Sequence, residues 1–431
     1  IMNKYKLNLQ PYKGTQDYYP EDMFKRNYLF NIWRETAIQF GYEEYDTPFL
    51  EEANLYKAKS GEELGSTQLY NFIDKGGREV AIRPEMTPSL ARLIAQRSNE
   101  LSKPIRWFSI DKFYRFEKPQ RGRTREFFQL NFDIFGISTI QAELEVFMFI
   151  NTVMNKLKAP KESWAVYVNN RYFIEYIVND ILKIDDQLKP ALYKAIDNYL
   201  KINRDEFKPY LIDIGLNEDQ AKQLVEIMNY NIDDIKKYKG ENRGVDELLE
   251  LFELTESLDL DNFVFKPYIM RGIAYYTGTV IEMFDIGSKE NPRALFGGGR
   301  YDDLLDIFDK PKIPAFGIGW GNITMNDFLT TYNLYPEYTK GIDIYVLQSD
   351  ELSTKEVFEI SNSFRTKGYV VETSLEKKDI RKQLTYASKK QAKYTIMKLG
   401  DSYIVKNMNN GEQTEFSSIE GLFSFSIWNE M

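Results

Sequence analysis

The sequence predicts an α+β protein with a sheet-based domain, a helical insertion and a small C-terminal α/β domain. Three observations predict it: strand-like segments on both sides of a long helical stretch, amphipathic helical patterns throughout residues 172–261, and alternating strands and helices after residue 340. The 431 residues are too many for one ordinary core. The predicted boundaries are 1–171 and 262–331 for the two parts of the sheet domain, 172–261 for the insertion and 340–431 for the C-terminal domain.

The composition excludes several kinds of chemistry. The chain contains no Cys and no His, which rules out disulfides, thiolate nucleophiles, imidazole bases and zinc sites built on these residues. Proton transfer would need carboxylates, Lys, Tyr, substrate groups or water. The net charge of −9 argues against a purely electrostatic nucleic-acid binder, although basic groups can cluster locally.

The protein is expected in the cytoplasm, and the hydropathy pattern indicates neither a membrane span nor a signal peptide. No apolar run of about 18 residues exists, so no membrane span is expected. The first 12 residues lack the apolar core of a signal peptide.

The first part of the chain alternates between helix and strand signals. Residues 21–40 have the apolar spacing of an amphipathic helix, and "YEEYDTPFLEE" is typical of a strand. Because Pro48 cannot donate to a sheet ladder, this strand is expected at an edge or an interface. Residues 69–73 and 80–83 predict a hairpin, and 88–96 a helix.

The next segments predict the main sheet and the C-terminal domain. The predicted strands are 106–116, 126–135, 163–170, 263–270 and 277–285, with a helix at 141–157, a glycine-rich segment at 293–303 and an apolar segment punctuated by glycines at 315–321. The C-terminal strands are predicted at 342–348, 369–375, 393–399 and 402–408, with helices at 354–367 and 379–390.

The strongest candidate for a site is the hairpin of residues 106–136. Arg115 lies where its first strand ends, and an Arg on a rigid strand can hold a phosphate through two parallel hydrogen bonds. Gln129 and Asp133 point to the same face of the returning strand, so with Arg115 and Glu85 they could line one polar pocket. The alternative is an ordinary solvated hairpin tip rich in charge.

Five segments carry a family resemblance. "FYRFE" with "FFQLNFDIFG" resembles motif 2 of the class II aminoacyl-tRNA synthetases in its histidine-specific form. "RPEMTPSLAR" resembles the segment that contacts the α-amino group, and "RGIAYYTG" resembles the histidine signature. "FGGGRYDDL" is similar to the glycine-rich strand before motif 3, and "FGYEEYDTPFLEE" to motif 1, which forms a dimer interface. The resemblance implies a class II antiparallel sheet flanked by helices, a C-terminal anticodon-binding domain, and histidine–tRNA ligase activity in a homodimer.

The resemblance also implies roles in ATP binding and catalysis. Arg115 would bind the ATP α-phosphate, Glu117 the adenine edge and Arg123 the outer phosphates. Arg271 would be a catalytic cation that contacts both the substrate carboxylate and the α-phosphate. Gly297, Gly298 and Gly299 would let the backbone approach ATP closely, although a bulge or tight bend is the alternative.

Further residues of the same family pattern would bind histidine. Glu85, Thr87 and Gln129 would hold the α-ammonium group. Asp133 and Tyr276 would contact the two ring nitrogens. Tyr275 is a second candidate, but neighbouring strand residues point to opposite faces, so only one of the two tyrosines is expected to line the site.

Thr324 stands where the family's motif 3 carries an arginine. Arg121, Arg123 or Mg²⁺ would then carry that charge, or nucleotide binding is weaker. Magnesium would bridge phosphate oxygens. The expected partner is tRNA(His), contacted by Arg121 and by a C-terminal basic face of Lys377, Lys378, Arg381 and Lys389. The alternative for that face is a solvated helix surface.

Two other functions remain open at this stage. One is a non-catalytic paralogue that acts as the regulatory subunit of ATP phosphoribosyltransferase or as an amino-acid sensor. The other is a class II synthetase for a different amino acid.

Overall fold

The computed structural model describes residues 8–58, 67–271, 276–288, 293–339 and 341–429. The chain divides into two compact units, Ile1–Tyr335 and Pro336–Met431. Within the described ranges, every helix is too short or too polar to cross a bilayer.

The strands of the first unit form an eight-stranded and a three-stranded sheet. They are β1 (Glu43–Glu44), β2 (Leu50–Glu52), β3 (Tyr70–Ile73), β4 (Glu79–Ile82), β5 (Ile105–Tyr114), β6 (Glu126–Phe135), β7 (Trp164–Asn170), β8 (Phe263–Phe265), β9 (Thr279–Asp285), β10 (Ala294–Arg300) and β11 (Ala315–Gly321). The large sheet has the order β1-β5-β6-β11-β10-β9-β7-β8, and only its two outermost pairs are parallel. The small sheet has the order β2-β4-β3. The predicted α+β class is therefore confirmed.

The helices of the first unit precede, separate and follow these strands in the chain. They are α1 (Pro20–Gln39), α2 (Ala53–Lys57), α3 (Thr87–Gln96), α4 (Gln141–Lys156), α5 (Arg171–Tyr176), α6 (Lys189–Asp197), α7 (Arg204–Asp213), α8 (Glu218–Ile227), α9 (Arg243–Ser257) and α10 (Asn322–Thr331). Between β7 and β8 the chain forms only helices, turns and loops. Four helices of this segment begin after an asparagine whose side chain caps a backbone N–H: Asn170, Asn203, Asn217 and Asn242.

One face of the large sheet is packed by helices α1, α4 and α9. Apolar side chains alternate towards this face, and Trp33 of α1 packs against Trp320 of β11 with ring centroids 5.8 Å apart. Phe132 of β6 stacks on Phe149 of α4 at 3.8 Å. These rings are fully buried, and burial of each large apolar side chain stabilises the fold by about 1.5–3 kcal/mol.

A buried ion pair ties helix α4 to the sheet on the same side. Arg300 at the end of β10 donates from Nε to Glu143 at 2.7 Å, and its other nitrogens donate to the carbonyls of Ile137 and Thr139. Since both charged side chains are almost fully buried, each needs the other to remain ionised.

Four of the predicted strands differ clearly from the observed ones: two in the first unit, and the strands predicted at 342–348 and 369–375, which are shortened to residues 344–346 and 371–373. The predicted strand around Pro48 is wrong as a single element, because β1 pairs with β5 of the large sheet whereas β2 pairs with β4 of the small one. The chain crosses between sheets at residues 45–49, where Pro48 cannot continue a ladder. The predicted strand 263–270 is shortened to β8, after which Asn169 holds the chain as a loop.

The second unit is a five-stranded sheet with helices. Its strands are β12 (Ile344–Val346), β13 (Val371–Thr373), β14 (Tyr394–Leu399), β15 (Ser402–Asn407) and β16 (Gln413–Phe416), in the order β13-β12-β14-β15-β16. The helices are α11 (Thr354–Thr366), α12 (Ile380–Lys389) and α13 (Ile419–Phe423). The sequence does not predict strand β16, because its polar residues lack an apolar alternation.

Candidate active site

The second face of the large sheet carries polar side chains among glycines. In the register of β6 and β11, Asp133 lies opposite Gly317 and Gln129 opposite Gly321, so these side chains share one face. A Cβ on Gly317 would lie 1.9 Å from the Asp133 Oδ1, and one on Gly319 would lie 2.9 Å from the Gln129 Nε2. The glycines therefore provide the space that the polar side chains occupy.

Asp133 is a deeply buried carboxylate on this face. It is 5% exposed, and the hydroxyl of Tyr301 donates a hydrogen bond to its Oδ1. Burial raises the pKa of Asp133 to about 7, although the Tyr301 hydrogen bond counteracts the rise. Asp133 can thus accept or release a proton near neutral pH.

Arg271 reaches this face from a loop that is fixed by hydrogen bonds. The Nδ2 of Asn169 donates to the carbonyls of Pro267 at 2.7 Å and Ile269 at 2.9 Å. Arg271 itself has a φ of 52°, which is uncommon for a residue with a side chain and stores strain at the site.

The Arg271 guanidinium lies directly over β10. A Cβ on Gly297 would lie 0.9 Å from its Nη1, so any side chain at position 297 would exclude the guanidinium. Glu282 of β9, opposite Gly297 in the register, lies 3.8 Å from the same nitrogen. Burial raises the pKa of Glu282, and the positive charge of Arg271 counteracts that rise.

Tyr276 lies on the same face, next to Arg271. Its ring packs on Gly299, where a Cβ would lie 2.7 Å from the ring, and the Arg271 guanidinium is 5.6 Å from the ring centroid. Burial raises the pKa of Tyr276, the positive charge of Arg271 counteracts that rise, and the charges of Glu85 and Asp133 add to it. Tyr275 lies outside the described residues, so the predicted choice between the two tyrosines stays a prediction.

Gly298, the middle glycine of the triplet, faces the helix-packed side of the sheet. A Cβ on Gly298 would lie 2.3 Å from the carbonyl oxygen of Gly317 and 2.6 Å from Ile318 on the helix-packed side. Only Gly297 and Gly299 of the triplet therefore open the face that carries Asp133 and Arg271.

Arg115 stands on this face beyond the end of β5. Its Nε donates to the carbonyl of Pro84 at 3.0 Å, and its guanidinium lies 5.1 Å from the ring centroid of Phe127. Glu85 follows Pro84 and is buried, and Thr87 begins helix α3. The segment is held by buried Arg83, which forms an ion pair with Asp111 at 2.6 Å.

The hairpin tip after Arg115 is an ordered turn. Gln120 and Arg123 exchange two backbone hydrogen bonds, and Gly122 between them has a φ of 71°. Arg123 forms an ion pair with Glu117 at 3.1 Å. Arg121 is exposed, and its charge acts on the carboxylate of Asp327 in α10.

The predicted basic residues of the second unit are partly neutralised. Lys377 pairs with Asp350 at 2.9 Å and Lys378 with Glu376 at 2.7 Å. Arg381 and Lys389 are exposed on helix α12. Helix α12 is therefore the stronger candidate for binding phosphates.

Sequence reasoning misses two residues of the first unit's site, Tyr301 and Glu282. The sequence marks Tyr301 only as a neighbour of the glycine triplet. A polar residue within the otherwise apolar core of β9 is a signal for Glu282. The pairing of Tyr301 with Asp133 depends on strand register, which the sequence does not reveal.

The residues present do not form a metal cage. Within the described ranges, no three Asp or Glu side chains gather closely enough to hold an ion. A magnesium ion that arrives with ATP would take most of its ligands from phosphate oxygens and water, with at most one or two protein carboxylates.

A mainly antiparallel sheet with helices on one face, and with Arg115, Arg271 and buried carboxylates on the other, defines a class II aminoacyl-tRNA synthetase. A family model described as histidyl-tRNA synthetase matches residues 14–320. The chain therefore belongs to the histidyl-tRNA synthetase family, which confirms the family predicted from the sequence motifs, and it is an aminoacyl-tRNA ligase.

Curated relatives agree with this family. The histidine–tRNA ligase of Leptospira biflexa is 37% identical over 429 residues, which cover 98% of each chain. The chloroplastic/mitochondrial enzyme of Arabidopsis thaliana is 35% identical over 420 residues, which cover 95% of this chain and 85% of that one. These relatives do not favour the regulatory alternative.

Solved structures share the fold. A histidyl-tRNA synthetase from Nostoc aligns with a TM-score of 0.80 at 22% identity and covers 99% of both chains. A Bacillus halodurans protein described as an ATP phosphoribosyltransferase regulatory subunit/histidyl-tRNA synthetase aligns with a TM-score of 0.72 at 21% identity, over 89% of this chain and 97% of that one.

Proposed function

We propose that this chain activates histidine with ATP and transfers it to tRNA(His) through the glycine-lined face of the large sheet. One observation carries the proposal: Arg271, Tyr276 and the Asp133–Tyr301 pair occupy the space that Gly297, Gly299 and Gly317 leave open. Cationic, aromatic and carboxylate groups are thus presented together, as a substrate with a carboxylate, an ammonium and an imidazole requires.

The activation step needs no protein base. An oxygen of the histidine carboxylate attacks the α-phosphorus, the new O–P bond forms, and the bond to pyrophosphate breaks. The nucleophile is already an anion, so the protein contributes alignment and charge neutralisation. Arg115 would bind the α-phosphate and Arg271 would contact both the carboxylate and the α-phosphate, with Glu117 and Arg123 on the rest of the nucleotide.

Histidine would be recognised at its two polar ends. Glu85, Thr87 and Gln129 would bind the α-ammonium group, and Asp133 and Tyr276 would contact the ring nitrogens. A buried site of this kind rejects a substrate that lacks a matching nitrogen, because its own polar groups would be left without partners.

The transfer step would use the second unit. A terminal ribose hydroxyl of the tRNA attacks the adenylate carbonyl and releases AMP, and the phosphate oxygen of the adenylate can take the proton. Helix α12, with Arg121 of the hairpin tip, would contribute phosphate contacts. Magnesium would be bound together with ATP.

We further propose a cytoplasmic homodimer. Four exposed apolar side chains lie in and beside the small sheet: Phe49 at 40%, Leu50 at 46%, Phe72 at 50% and Ile73 at 64% exposed. Apolar surface of this kind is typical of an interface. Sedimentation of the purified protein tests the dimer, and a monomer at micromolar concentration would contradict it.

Exchange of labelled pyrophosphate into ATP tests the function. Exchange that depends on histidine supports the proposal. Exchange with another amino acid would support the other synthetase, and no exchange at adequate enzyme and magnesium would support the regulatory protein.

A further inference from the structure

Arg293 meets two other segments at one point beside the hairpin tip. A Cβ built on Gly122 would lie 2.8 Å from the Cδ of Arg293 and 3.3 Å from the Cγ2 of Thr324. Arg293 precedes β10, Gly122 is in the hairpin turn, and Thr324 lies in the first turn of α10. Three segments distant in sequence thus surround the half-buried side chain of Arg293.

The residues next to Arg293 are small, so they leave space for its side chain. Any side chain on Gly122 would collide with Arg293, and the φ of 71° already disfavours one. Thr324 is short, and its hydroxyl donates to the carbonyl of Leu295 at 3.2 Å. An arginine at position 324 would compete with Arg293 for this space.

The charges at this point are unbalanced. Glu117 is engaged by Arg123 at 3.1 Å, and among the described residues Arg293 forms no ion pair within 4.0 Å. Burial lowers the pKa of Arg293, and the positive charge of Arg123 lowers it further, while Glu117 counteracts both. Two guanidinium groups and one carboxylate leave a net positive charge, which an anionic ligand would neutralise.

We infer that Arg293 binds the outer phosphates of a nucleoside triphosphate, together with Arg123, and supplies the charge that Thr324 cannot. The inference rests on the proposed use of ATP at this site. Guanidinium groups are well suited to phosphate, because they stay charged and offer several fixed donors.

Binding of ATP and of AMP to the full chain, measured by calorimetry, tests the inference. We expect Arg293→Ala to weaken ATP binding by about tenfold or more, the size of one charged hydrogen bond, and to leave AMP binding within about twofold. The ATP affinity of Arg293→Lys should fall between those of the wild type and of Arg293→Ala. Arg78→Ala removes an exposed arginine of the β3–β4 turn and serves as the matched control, with wild-type affinity for both nucleotides.

A rescue variant gives the sharpest result. Because position 324 adjoins Arg293, Thr324→Arg in the Arg293→Ala background should restore most of the ATP affinity. Equal losses for ATP and AMP, no loss for either, or no rescue would overturn the inference. The two proposals fail separately: a wild-type chain that binds ATP more tightly than Arg293→Ala but shows no histidine-dependent exchange would refute only the ligase function.

Discussion

Asp133 combines deep burial with a single hydrogen-bond donor from the described residues, Tyr301. A carboxylate in such a place binds its proton more tightly in the folded than in the unfolded chain, and burial raises its pKa to about 7. Its contribution to stability is therefore complete at low pH, below the ordinary pKa of an aspartate, and is lost as the pH rises towards 7 and beyond.

Asp133→Asn should remove this pH dependence. The amide keeps an oxygen that can accept from Tyr301 but cannot ionise. We expect the free energy of unfolding of Asp133→Asn, relative to wild type, to increase by about 2–3 kcal/mol between pH 5 and pH 8. Urea denaturation at several pH values measures it, and a difference independent of pH would contradict the argument. Asp111, whose pKa burial raises to about 6, is present in both proteins and cancels.

Arg271 is expected to act on the rate of activation more than on histidine binding. Its guanidinium fills the space that a side chain at Gly297 would occupy, and its backbone has a strained φ. Both features orient the guanidinium before the substrate binds. Arg271→Ala should lower kcat of pyrophosphate exchange by about 10²–10³ and change KM for histidine little, because its charge matters most as the phosphorus gains negative charge.

Arg97→Ala, which removes an exposed arginine at the end of α3, is the control and should keep wild-type kinetics. A higher KM with unchanged kcat in Arg271→Ala would show that Arg271 only binds substrate.

At the scale of elements, β10 and β11 form a strip of backbone between two layers: the helices on one face of the sheet and the side chains of the site on the other. Gly297 pairs with Gly319 and Gly299 with Gly317 across the ladder. The part of the sheet beneath the site therefore has almost no side chains of its own. The side chains above it come from β6, β9 and the loop of Arg271. A substitution in the strip therefore acts through the residues that it displaces.

Gly317→Ala tests this directly. The added Cβ would lie 1.9 Å from Asp133 and 2.8 Å from the Tyr301 hydroxyl, so both must move. We expect KM for histidine to rise by about tenfold or more, with a loss of stability of about 1–3 kcal/mol from overpacking. Gly321→Ala is the matched control in the same strand, because nothing lies within 4 Å of its Cβ. Equal kinetics of the two variants would show that the strip does not shape the histidine site.

The elements also show what the sequence can and cannot predict. The predicted strand 126–135 matches β6 to the residue, since its long aromatic run is bounded by polar segments. Strand alternation alone places Asp133 and Gln129 on one face. The sequence does not reveal Arg293, because a residue at the start of a strand has no periodic signal and its neighbours Gly122 and Thr324 are distant in sequence.

At the scale of the whole molecule, charge limits how tRNA can be bound. The chain has 65 acidic and 56 basic side chains, so its overall field repels a polyanion. Binding must then depend on places where basic side chains are not neutralised. In the second unit Lys377 and Lys378 are paired with carboxylates, whereas helix α12 carries exposed Arg381 and Lys382.

The double substitution Arg381→Ala and Lys382→Ala should separate the two steps of the reaction. We expect kcat/KM for charging of tRNA to fall by about tenfold, and pyrophosphate exchange to stay at the wild-type level, because the site that we propose for activation lies in the first unit. The dependence of tRNA affinity on salt should also weaken, by a slope of about 0.9 for each phosphate that the variant no longer neutralises. Lys355→Ala on α11 removes an exposed lysine paired with Glu359 at 3.5 Å and is the control, with unchanged charging. If the double variant charges tRNA as fast as the control and keeps the full salt slope, helix α12 does not bind the nucleic acid, and the phosphates must be held elsewhere on the chain.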